Sequence, residues 1–169
     1  MSVALDMARH VAPDTQEDFQ SEYLQALRLI ERLHRLLLDV IKNEFDRNGG
    51  SDLNSVQALL LYNIGDSILT AGELKSRGYY LGSNVSYNLK KLVDMGYIDC
   101  KQSVTDGRSK RVSLTDKGLA ASDIVKSLYQ RQLGSIETVG EVNNDDLARL
   151  NKALVRLERF WTDQVRYQL

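Results

Sequence analysis

The stretch Thr70-Ala-Gly-Glu-Leu-Lys-Ser-Arg-Gly78 decides the fold. It is continued by Ser83-Asn-Val-Ser-Tyr-Asn-Leu-Lys-Lys-Leu-Val-Asp-Met-Gly-Tyr-Ile98 and Thr105-Asp-Gly-Arg-Ser-Lys-Arg-Val-Ser-Leu-Thr115. Thr70 followed three residues later by Glu73 is a reciprocal capping pair, so Ala71 to Arg77 reads as a short helix ended by Gly78. Tyr79 to Gly82 reads as a turn, and Ser83 as the cap of a second helix. Val85, Leu89, Leu92 and Val93 supply the buried stripe of that helix, and Gly96 takes the left-handed position that closes it. Tyr97 to Gln102 alternates as a strand, Ser103 to Ser109 turns, and Lys110 to Leu114 returns. Ile68-Leu69-Thr70 has room for one small strand pairing with this hairpin. Helix, turn, helix and hairpin make a winged helix-turn-helix. The expected fold class is mostly α with a small antiparallel β-hairpin wing, flanked by N- and C-terminal dimerisation helices.

Outward from this unit the chain is helical. Asp14 to Glu17 opens a first helix whose apolar positions 19, 23, 27, 30, 33, 37, 41 and 45 keep a helical period up to Asn48-Gly49-Gly50. Read from Thr15 to Arg47, it is about 50 Å long at 1.5 Å per residue. That exceeds the width of so small a domain, so a second subunit is expected to cover part of its apolar face. Asn54 and Gln57 cap the next helix, which stops at Gly65-Asp66. Thr115 caps a helix expected to reach about Thr138, with Gly134 weakening its end. Asn143 and Asp146 start the last one. Its apolar residues Leu147, Leu150, Leu154, Leu157 and Trp161 follow a three-four spacing, the seam of a helix that packs on another helix. Phe19 and Tyr23 with these five are the expected dimerisation residues. The expected organisation is a disordered tail over 1–14, a dimerisation region over 15–50 and 116–169, and a DNA-binding domain over 51–115.

Net charge is -1 over 169 residues, yet it is unevenly placed. From Lys75 to Lys117 nine Lys and Arg stand against four acids, a net of +5 that leaves -6 for the remainder. Concentrated positive charge on the candidate reading unit suits attraction to phosphate. The polar side chains Ser83, Asn84, Ser86, Tyr87 and Lys90 fit the contacts a helix makes in a major groove, where Asn and Lys read base edges and hydroxyls reach phosphates. Arg108, Lys110 and Arg111 give the hairpin tip a basic character for a minor groove. Asp106, repulsive to phosphate if free, is expected to pair with Arg108 and shape the loop. A winged helix used as a protein-interaction module without DNA binding is the alternative.

Other classes find little support. Two histidines and a single cysteine offer no metal-ligand spacing, and no phosphate-binding glycine pattern occurs. No enzyme activity and no cofactor are expected. One cysteine gives no disulfide framework, and Cys100 is expected to be a small buried hydrophobe in its strand. No apolar run of about eighteen residues exists to span a membrane. The N-terminal stretch lacks a signal core, and a cytoplasmic location is expected.

The run Asp106-Gly107-Arg108-Ser109-Lys110-Arg111-Val112-Ser113-Leu114-Thr115 followed by Gly118 resembles the wing signature of the MarR family of bacterial regulators. Leu53, Gln57 and Leu60 resemble that family's second helix, and Leu92 to Ile98 the exit from its recognition helix. The recognition helix and turn are closer to a smaller branch, the LdtR-like regulators of L,D-transpeptidase genes. Gly107 departs from the pattern, standing where an Arg is common. The resemblance implies a homodimer on a pseudo-palindromic operator of double-stranded DNA, modulated by a small aromatic or apolar effector. His34, Tyr62, Tyr79 and Tyr80 are the candidate effector residues.

Overall fold

A computed structural model describes residues 13–76, 82–102 and 110–167. In chain order these form α1 (Pro13–Arg47), α2 (Ser55–Ile64), β1 (Leu69–Thr70), α3 (Ala71–Ser76), α4 (Gly82–Asp94), β2 (Ile98–Gln102), β3 (Lys110–Leu114), α5 (Asp116–Leu133) and α6 (Asn144–Tyr167). The chain divides into two compact units at Leu59/Leu60, inside α2, and each is described by itself.

The first unit is dominated by α1, 35 residues or about 52 Å long. It starts at Pro13, two residues before the expected Thr15, since proline fits a first helical turn whose amides have no partners in any case. It ends as the sequence predicts. The Asn48 side-chain amide donates to the Glu44 carbonyl at 2.8 Å, and the Gly50 amide donates to the Phe45 carbonyl at 3.0 Å. Burial is confined to the C-terminal end, at Ile41, Glu44 and Phe45. The start of α2 is fixed by a reciprocal cap. The Gln57 amide donates to Asn54 Oδ1 at 2.8 Å, and the Asn54 amide donates to Gln57 Oε1 at 3.1 Å. That bond satisfies the carboxamide oxygen of the fully buried Gln57.

The second unit holds the winged helix. Its three strands run β1-β3-β2, both pairings antiparallel, with Leu69 opposite Val112 and Ile98 opposite Leu114. The predicted small strand therefore pairs with the wing. Leu60, Leu61, Ile64, Leu69, Leu74, Leu89, Leu92, Tyr97, Ile98, Val112, Ala121, Val125 and Leu128 are its buried apolar residues among those described. The Thr70–Glu73 pair forms as predicted, with the Glu73 amide donating to Thr70 Oγ1 at 3.1 Å while the Glu73 carboxylate accepts from Thr70.

Several boundaries differ from the expectations. Gly82 lies inside α4 rather than in the turn, and Ile98 rather than Tyr97 begins β2. α5 stops at Leu133, where the Gly134 amide bonds to the Gln132 carbonyl, instead of reaching Thr138. Val93 is exposed, not part of the buried stripe of α4. The turn at Gly96 brings Tyr97 back, and Tyr97 is buried in its stead. Cys100 is exposed, contrary to expectation, as are Asp99, Lys101 and Gln102. β2 is an edge strand that α4 meets, and only its first residue, Ile98, is buried, so alternation has no second layer to express it. Arg77 to Leu81, the turn residues Ser103 to Ser109 and the first twelve residues lie outside the described residues. So do most of the expected tail and the Asp106–Arg108 pair.

The exit of α4 is closed by a Schellman turn. The Tyr97 amide bonds to the Leu92 carbonyl at 2.9 Å and the Gly96 amide to the Val93 carbonyl at 3.0 Å, with Gly96 at φ 76°. Thr115 then joins this turn to α5. Its amide donates to the Tyr97 carbonyl at 3.1 Å, its hydroxyl donates to the Gly96 carbonyl at 2.8 Å, and the same hydroxyl accepts from the Gly118 amide at 3.2 Å. Thr115→Ala loses both side-chain bonds and is expected to lower stability by about 1–2 kcal/mol. Thr115→Ser should retain most of it. Urea unfolding of the three proteins checks this, and an unchanged midpoint for the alanine variant would remove Thr115 from the junction.

Candidate nucleic-acid interface

α4 is two-faced because its sequence is. Leu89 and Leu92 turn inward, and the opposite arc carries Ser86, Tyr87, Lys90, Lys91 and Asp94, all exposed. Tyr87 keeps 65% of its surface in water, so it serves no core. A large exposed aromatic beside two lysines on a helix that the fold turns outward is a surface for a partner with both stacked and anionic groups. For Ser83 and Asn84 the structure describes the helical backbone only, in the first turn of α4.

The hairpin adds cations beside this helix. Lys110 and Arg111 begin β3 and are exposed. The register sets Lys101 directly opposite Arg111, with Thr70 on the other side of Arg111. Like charges facing each other across a strand pair repel, and an anion between them removes that cost. Lys101 thereby joins the candidate site, a residue that sequence alone counted only as part of a basic window. The β2–β3 strand register brings it there. Arg108 lies outside the described residues.

The expected effector residues are not brought together as a set. His34 is exposed on α1, in the first unit, and Tyr79 and Tyr80 lie outside the described residues. Tyr62 instead meets Tyr129 of α5, ring centroids 5.0 Å apart and nearly perpendicular at 85°. Burial first, and Tyr62 second, raise the Tyr129 phenol above its ordinary pKa. The two rings form an edge-to-face aromatic pair. No sequence period marks Tyr129 as the partner of Tyr62, since the two meet only through tertiary packing.

Cys100 stands exposed on β2 without a second cysteine. Among the described residues no group of three or more His, Cys, Asp or Glu could hold a metal ion, and no helix is long and apolar enough to cross a membrane.

Fold and surface define a winged helix-turn-helix protein with a basic exposed face on α4 and the wing. A family model described as a winged helix DNA-binding domain matches residues 53–118. The exopolysaccharide II synthesis transcriptional activator ExpG of Rhizobium meliloti (strain 1021) is 34% identical over 154 residues, 89% of this chain and 77% of ExpG. Two solved structures share the fold. The reduced form of MarR from E. coli gives a TM-score of 0.58 at 23% identity, covering 77% of this chain and 93% of that one. FabT of Streptococcus pneumoniae, in complex with DNA, gives 0.62 at 20% identity, covering 83% and 98%. The chain belongs to the MarR family of winged helix-turn-helix transcriptional regulators. It is a DNA-binding transcriptional regulator, and its relatives are regulators rather than enzymes. These likenesses bear on the family and not on the LdtR-like branch within it.

Proposed function

We propose that the chain acts as a homodimer that reads a pseudo-palindromic operator, with α4 in the major groove and the wing on the adjacent minor groove. Ser83, Asn84, Ser86, Tyr87 and Lys90 face the bases and flanking phosphates, and Arg108, Lys110 and Arg111, with Lys101 beside them, hold the wing on the backbone. The observation that carries this reading is the exposed arc of α4, a polar and basic face with no role in the core. Two such helices related by a dyad meet successive major grooves about 34–36 Å apart. The terminal helices, 15–50 and 116–169, set that distance. This is supported by α6, whose 24 residues include none that is buried although Leu147, Leu150, Leu154, Leu157 and Trp161 form an apolar seam.

A small aromatic or apolar effector tunes the spacing. It needs to favour the mismatched arrangement by only a few kcal/mol to release DNA. The Tyr62–Tyr129 pair, from two helices of the winged unit, is the natural contact for its ring, and His34, Tyr79 and Tyr80 are the further candidates. A regulator of this kind works where the chromosome is, in the cytoplasm.

Lys90→Ala and Arg108→Ala are each expected to weaken DNA binding about three- to tenfold and to lower the slope of log affinity against log salt by about 0.9. The dimer should persist in both. Fluorescence anisotropy at four salt concentrations measures this, using a duplex selected from a random pool by the unaltered protein. Unchanged binding by both variants would remove the reading face from α4 and the wing. A wild-type affinity independent of salt would favour the protein-interaction module instead.

A further inference from the structure

Lys117 belongs by position to the basic window of the reading unit, and charge alone makes it a phosphate contact. Its surroundings give it another task. The Lys117 ammonium donates to the Met95 carbonyl at 3.0 Å and lies 4.0 Å from the centre of the Tyr97 ring. Met95 is the last residue before Gly96, so its carbonyl is one of those that a helix end leaves without an intrahelical partner. A cation there also meets the negative end of the α4 dipole.

The three carbonyls at the exit of α4 are thus taken in succession by the entry of α5. Met95 accepts from the Lys117 side chain, Gly96 from the Thr115 hydroxyl and Tyr97 from the Thr115 amide. Thr115 supplies two bonds close to the backbone. Lys117 supplies the one of the three that lies nearest the last turn of α4, on the residue directly after Asp94, and it holds the Tyr97 ring at the same time.

We infer that Lys117 is a positioning residue, which fixes the direction of the reading helix relative to α5 by capping the C-terminus of α4, and that it makes no phosphate contact of its own. This rests on the reading of α4 as the DNA-contacting helix. Its consequence is that α4, the base of the wing and α5 turn as one body. A change in α5 then arrives at the bases as a rotation of α4.

The two roles leave different signatures in salt. A phosphate contact contributes about 0.9 to the slope of log affinity against log salt, and a positioning contact contributes nothing to it. The experiment compares Lys117→Met, which keeps the stem and removes the cation, with Lys117→Arg, which keeps a cation for the ring and an N–H for the carbonyl. Binding is measured by anisotropy over a range of salt, to the duplex selected by the wild-type protein and to a scrambled duplex of equal length. Lys117→Met should lose about five- to tenfold on the selected duplex, the scale of one exposed cation–π contact with one hydrogen bond. It should keep the wild-type salt slope and its affinity for the scrambled duplex, and Lys117→Arg should return to within about twofold.

A slope reduced by about 0.9 would make Lys117 a phosphate contact and overturn the proposal. So would an unchanged affinity for the selected duplex, an equal loss on both duplexes, or a failure of Arg to rescue. Lys90→Ala, measured alongside, reports on the underlying reading. If it leaves affinity and slope unchanged, α4 is not the reading helix, whatever Lys117 does. If the wild-type protein enriches no sequence, the reading and the proposal fall together.

Discussion

Leu154→Glu is expected to convert the protein from a dimer to a monomer and to abolish tight operator binding. Leu154 lies at the centre of the α6 seam and is 37% exposed in the single chain, with Leu150, Val155 and Phe160 around it still more exposed. Covering a Leu completely stabilises an assembly by about 1.5–3 kcal/mol. A dimer has two copies, and a carboxylate buried without a partner costs still more. The loss therefore exceeds about 4 kcal/mol per dimer, a factor of about a thousand in its dissociation constant.

Light scattering at micromolar concentration should show the mass fall from twice 19.1 kDa to 19.1 kDa. Far-UV ellipticity should change little, since no residue of α6 is buried in its own chain and glutamate is a good helix former. A dimer that persists would overturn the role given to α6. Loss of the dimer with operator affinity intact would overturn the need for two reading helices.

Gly118→Ala sets two principles against each other. Gly118 sits in the first turn of α5, where alanine favours the helix by about 1 kcal/mol. It is also buried, and an added Cβ would press into the Tyr97 carbonyl oxygen and stand 3.2 Å from Leu114 Cβ. The obstacles are main-chain atoms and the root of a side chain, none of which can swing aside. α5 would have to withdraw from the turn after α4, loosening the Thr115 bonds to Gly96 and Tyr97. Overpacking of this kind costs about 1–3 kcal/mol, and the lost bonds add to it.

The clash wins. A net loss of about 2–3 kcal/mol, or about 5–10 °C in melting temperature for a chain of this size, is expected. Thermal unfolding followed by circular dichroism decides the matter. An unchanged or raised melting temperature would mean that helix propensity governs the site and that the close approach at Tyr97 carries no weight.

Much of the architecture was readable because it is written in local chemistry. Asn54 with Gln57, Thr70 with Glu73, and Asn143 with Asp146 each form the reciprocal bonds expected of a cap, and Gly96 takes the left-handed turn. Caps and turns involve residues three to five apart, so a linear pattern contains both partners. The hairpin strand Lys110 to Leu114 also lies where the sequence places it.

The failures share one cause. Residue type points Cys100 to an interior and helical spacing does the same for Val93, yet both are exposed. A period says which residues share a face, and only a second layer decides whether that face is covered. β2 is an edge strand buried only at its start, and Tyr97 rather than Val93 completes the burial at the end of α4.

The winged helix, the polar face of α4 and the concentration of charge on the reading unit are legible in the chain alone. These follow from residue type and short-range spacing. What individual cations do depends on packing between distant parts of the chain. Lys101 is set against Arg111 by strand register, and Lys117 is drawn away from the phosphate-seeking set onto the Met95 carbonyl and the Tyr97 ring. The partners in these contacts lie 10 and about 20 residues apart, beyond the reach of any local rule. A formal charge is a property of the residue, whereas its use depends on which polar atoms the fold brings within 3–4 Å of it.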